Sequence, residues 1–61
     1  MNHKFKEIRL ELWTDNLGKH HVRIDNVVNN NHFNLLSTDD KFQAVLFYQD
    51  MYDLLSKHQE K

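Results

Sequence analysis

Sixty-one residues with eight Lys+Arg, nine Asp+Glu and five His carry a formal charge of −1, which excludes the broad positive field that gathers nucleic acid or anionic lipid by charge alone. Cysteine is absent, so neither a disulfide nor a thiolate zinc site can staple the chain. A core of this size rarely supplies more than about 3–5 kcal/mol, which leaves good packing, a histidine-bound metal or a partner chain as the supports to look for.

One domain over residues 1–61 is expected. No apolar run reaches the length of a signal-peptide core or a membrane span, so the default expectation is a cytoplasmic protein without a membrane partner.

The first element is a strand. Ile8, Leu10 and Leu12 alternate with Glu7, Arg9 and Glu11, the period-two pattern of a sheet with one buried face. Val22 and Ile24 alternate with His21, Arg23 and Asp25 in the same way, and the only glycine, Gly18, lies between the two runs. A three-residue loop of Asn16, Leu17 and Gly18, with the glycine left-handed, makes this a hairpin over about residues 5–28.

That loop sets a register: Asp15 opposite Lys19, then Thr14/His20, Trp13/His21, Leu12/Val22, Glu11/Arg23, Leu10/Ile24 and Arg9/Asp25. Apolar residues meet on one face and opposite charges meet twice on the other. Carrying the same period back places Phe5 and Glu7 on the outer, charged face with Trp13.

Asn29, Asn30 and Asn31 break the pattern as a loop, and the short stretch His32–Leu36 is expected to be a third strand. A helix over about residues 38–58 follows, capped by Ser37 or Thr38, with Ser37 and Asp40 at capping-box spacing and Asp39 and Asp40 at the positive end of the dipole. The expected fold class is therefore α+β, a β-hairpin plus short third strand forming an antiparallel sheet against one long C-terminal helix.

On the helix, Ala44, Phe47, Tyr48, Met51 and Leu55 form a compact stripe, widened by Val45, Tyr52 and Leu54. Phe42 and Leu46 fall outside it, among Gln49, Asp50, Asp53, Ser56 and Lys57. Either they lean over the sheet edge onto Leu35 or Leu36, or they form a second interface, for which a symmetric homodimer is the commonest arrangement. Trp13 is a second candidate contact, either paired with His21 alone or acting with Arg9 and Arg23 as an interface anchor.

The remaining chemistry is sparse. His20 and His21 are adjacent on a strand, so they point to opposite faces and cannot chelate one ion. His3, His32 and His58 stand at no ligand spacing with them, and neither metal nor cofactor is expected. There is no nucleophile elbow and no phosphate-cradling glycine pattern, and the aspartate pairs Asp39/Asp40 and Asp50/Asp53 fit a helix cap and a solvated face, so an enzyme is not expected.

The order of elements resembles, in architecture only, the small DNA-binding domains at the N-termini of tyrosine recombinases and of the AP2 class, which read the major groove with a sheet. That resemblance implies a groove-reading role for Arg9, Trp13 and Arg23, but Glu7, Glu11 and Asp25 interleave with the arginines and nearly cancel them. In size and Lys/Asn-rich composition the chain is similar to accessory proteins of phages and mobile elements. The expected function is a non-enzymatic, self-associating protein-binding regulator or inhibitor with an unidentified protein partner, contacting it through Phe42, Leu46, Trp13, His21, Arg9 and Arg23; a small DNA-binding domain is the alternative.

Overall fold

Four antiparallel strands lie side by side in chain order, β1 (Asn2–Phe5), β2 (Ile8–Thr14), β3 (His20–Asn26) and β4 (Asn31–Thr38), followed by one helix, α1 (Lys41–Gln59). The computed structural model describes residues 1–59. The α+β class and the sheet-on-helix arrangement are as expected from the sequence.

The central hairpin forms in the expected register, from Thr14 opposite His20 to Arg9 opposite Asp25 and on to Ile8 opposite Asn26. Its loop is built by Asp15. The Asp15 amide donates to the Lys19 carbonyl at 2.9 Å, Gly18 N–H donates to the Asp15 carbonyl at 3.1 Å, and the Asp15 carboxylate accepts from the amides of Leu17 and Lys19. Gly18 has φ +82°, the left-handed conformation that closes this turn.

Three boundaries differ from the sequence expectation. First, Phe5 is not on the outer face: Lys6, at φ 49°, turns the chain between β1 and β2, so Phe5 sits opposite Ile8 and is buried in the core, while Glu7 lies in the turn. A turn built on a left-handed lysine leaves no glycine or asparagine to mark it, and the period-two pattern runs straight through.

Second, the loop after the hairpin is residues 27–30, closed by the Asn26 side-chain oxygen accepting from Val28 and Asn29 amides and by Asn30 at φ 59°. Val27 and Val28 are therefore exposed turn residues. Asn31 instead starts β4, which is eight residues long and carries a bulge where Val22 pairs with Leu36 and Arg23 with Asn34.

Third, the helix begins at Lys41, and its cap is Asp40. The Asp40 carboxylate accepts from the amides of Phe42 and Gln43, while Thr38, still in β4, accepts from the Asp40 amide.

The helix covers the face that bears Leu10 and Val22. These two, with Phe5, Tyr48 and Leu55, form the buried cluster beside Ala44, and Ile8, Leu12, Ile24, Leu36, Phe47 and Met51 pack around it. Tyr52 closes the β1 side by edge contact with the rings of His3 and Phe5.

Candidate functional site

The outer face of the sheet, away from the helix, is organised around Asp25. This carboxylate is 1% exposed and takes four contacts. Arg9 donates to Oδ2 from Nε and Nη2 at 3.2 and 2.9 Å, His32 Nδ1 shares a hydrogen bond with Oδ1 at 2.7 Å, and Arg23 Nε lies 3.1 Å from Oδ1 as an ion pair. Arg23 also donates from Nη2 to Glu11 at 2.7 Å.

Burial alone would push the Asp25 carboxyl up, but the bonds from His32 and Arg9 and the charge of Arg23 outweigh it and hold it down at about 2. The Arg23 guanidinium is held above its ordinary value, chiefly by its bond to Glu11. Both arginines are thus committed within the chain.

A second cluster joins the hairpin turn to β4. Trp13 stacks on His21 with ring centroids 4.5 Å apart and planes inclined by 28°. His21 Nε2 is 2.9 Å from Asp15 Oδ2, and its Nδ1 is 2.8 Å from Ser37 Oγ. The Asp15 carboxyl is held below the usual range, first by the bond from His21 and then by the Lys19 amide.

The order Ser37, His21, Asp15 is that of a hydrolase triad, yet Asn34 Nδ2 donates to Ser37 Oγ at 2.8 Å and engages one of the lone pairs that an attack would use. The geometry describes a clasp that pins β4 and the turn to β3. His20 faces the other way and shares a 2.7 Å hydrogen bond with its expected neighbour Thr14.

The candidate contacts on the helix are separate from both clusters. Phe42 is 73% exposed and Leu46 47% exposed, so neither is buried over the sheet edge at Leu35 and Leu36. The reason is the helix's rotation: Ala44, Tyr48 and Leu55 face the sheet, and Phe42 and Leu46 lie about half a turn away. Trp13, at 42% exposed, keeps part of its indole in contact with solvent.

A shallow hollow of about 400 Å³ opens between the first strand and the helix, lined by Met1, Val45, Tyr48, Gln49, Tyr52 and Asp53. Among the described residues, no three His, Asp or Glu side chains are grouped to hold a metal ion, and no helix is long and apolar enough to cross a membrane.

Of the six residues singled out from the sequence, the structure brings Arg9 and Arg23 together around Asp25, sets Trp13 against His21, and leaves Phe42 and Leu46 on the far face of the helix. Sequence reasoning missed Asp15, His32 and Ser37 as partners. Asp15 is part of the turn signature itself; His32 and Ser37 needed the register of β4, which its bulge conceals.

Compared with protein-family models, curated proteins and solved structures, the chain shows no significant match.

Proposed function

We propose that this chain is a small, non-enzymatic protein-binding module that works as a self-associated unit in the cytoplasm, a regulator or inhibitor of the kind phages and mobile elements carry. The observation that carries this reading is the exposure of Phe42 and Leu46 one turn apart on the face of α1 turned from the core. Large apolar side chains four residues apart on an exposed helix face make a compact hydrophobic contact, and aromatic anchors of this kind dominate the energetics of protein interfaces.

The outer sheet face argues against the alternative of reading DNA. Arg9 is spent on Asp25, and Arg23 on Glu11 and Asp25. Using either on a phosphate or a guanine edge would uncover a buried carboxylate or strand a neighbouring one. Titration of a labelled random duplex at low salt tests the choice. No saturable binding is expected; an affinity that falls steeply as salt rises would replace this reading with the DNA-binding one.

A further inference from the structure

We propose that the free edge of β4 is the self-association site, where a second copy of this chain adds its own β4 antiparallel and one sheet runs through both copies across a two-fold axis at Phe33. The inference rests on the self-associating reading above and says where that association occurs.

In the strand order β1-β2-β3-β4, the last strand pairs only with β3 among the described residues. About half of an edge strand's N–H and C=O groups point outward without a strand partner. Natural edges are usually protected by charge, proline, a bulge or extreme shortness. β4 spans eight residues, Asn31–Thr38, with no Lys, Arg, Asp, Glu or Pro among them. Its one irregularity is the bulge at Leu35, which leaves Asn31–Asn34 as a regular run.

Within that run Phe33 is 58% exposed, on the helix-side face opposite Ile24, while His32 and Asn34 lie on the outer face opposite Asp25 and Arg23. A two-fold axis normal to the sheet keeps each residue on its own face, so it pairs residues of like parity. With Phe33 on the axis, the two Phe33 rings meet on the helix side and each His32 meets the partner's Asn34 on the other. No charged side chain of β4 opposes another, and the exposed Phe33 ring of each copy is covered by the other.

The other pairings are poorer. Two β1 edges would meet over only four residues, Asn2–Phe5, with the cationic Lys4 of each copy in the seam. A β4-to-β1 contact leaves a free edge at each end and grows into a filament, whereas β4-to-β4 closes with two copies.

Sedimentation velocity on the full chain, together with two variants and a crosslink, tests the proposal. The wild type should sediment as a dimer, about twice the 7.4 kDa chain. Phe33→Lys should be monomeric with an unchanged circular dichroism spectrum, and Phe42→Asp/Leu46→Asp should remain dimeric. Because the chain has no cysteine, Phe33→Cys joined by a short bismaleimide should give a covalent dimer, and Asp50→Cys on the helix should not; this decides the matter should Phe33→Lys fail to fold.

A dimer that survives in folded Phe33→Lys, or a Phe33→Cys chain that does not crosslink, overturns the β4 site. A dimer lost in Phe42→Asp/Leu46→Asp overturns it while keeping self-association, now on the helix. A wild type that stays monomeric at its highest soluble concentration overturns both.

Discussion

Asp25 shows how little a formal charge count says about a surface. It lies on the outer face of the sheet, opposite Arg9, yet two guanidiniums and an imidazole cover it completely. Its carboxyl is depressed to about 2 from an ordinary 3.8. Stability from this group is therefore fully present above about pH 4 and is lost as pH falls from there toward 2, by about 2 kcal/mol over that window. Asp25→Asn should cost a similar amount at neutral pH, since Arg9 and His32 are partly solvated and recover some of the loss; urea denaturation at pH 7 and pH 2.5 checks both, and in the variant the acid-dependent loss should shrink by the Asp25 part while that of Asp15 remains. Asp15 gives an independent test. Its largest anion-stabilising bond comes from His21, so in His21→Ala its carboxyl should titrate at higher pH, measured by carbon-detected NMR.

Turns and caps decide the elements. Gly18 has open space where a Cβ would stand, so Gly18→Ala meets no clash and should lose only the cost of a left-handed alanine, about 1 kcal/mol. Asp40→Ala should cost a further 1 kcal/mol or so by orphaning the amides of Phe42 and Gln43, and Asp40→Ser should keep most of it; thermal melts of the three variants separate the two ends. The same residues explain what was legible. The β2–β3 hairpin was readable to the residue because Gly18 announces its turn and the charge pairs Arg9/Asp25 and Glu11/Arg23 fix one register. β1 was not, because Lys6 adopts a positive φ with no sequence signal, and so Phe5 was assigned to the wrong face. β4 was found but cut short, since its bulge interrupts the alternation that reveals a strand. The helix was found with its core stripe, although Asp40 rather than Ser37 or Thr38 begins it.

At the scale of the molecule, one sheet and one helix leave three different surfaces. The outer sheet face is polar and its ion pairs are satisfied internally; the β4 edge is uncharged and open; the far side of α1 presents Phe42 and Leu46. The candidate contacts named from the sequence divide among these surfaces: Phe42 and Leu46 are exposed on the helix, Trp13 and His21 belong to a clasp that still exposes the indole, and Arg9 and Arg23 pair with Asp25 and Glu11. The two proposed contacts lie on different elements, β4 and α1, so a dimer built on β4 would present its partner surface twice, and binding at the two helices would gain by avidity. Protein binding through Phe42 and Leu46 is tested most directly by affinity capture from nuclease-treated lysate with the wild type beside folded Phe42→Asp/Leu46→Asp. A discrete protein should be retained by the wild type and lost by the variant; a protein retained equally by both, or nucleic acid as the only ligand recovered when nuclease is omitted, would contradict it.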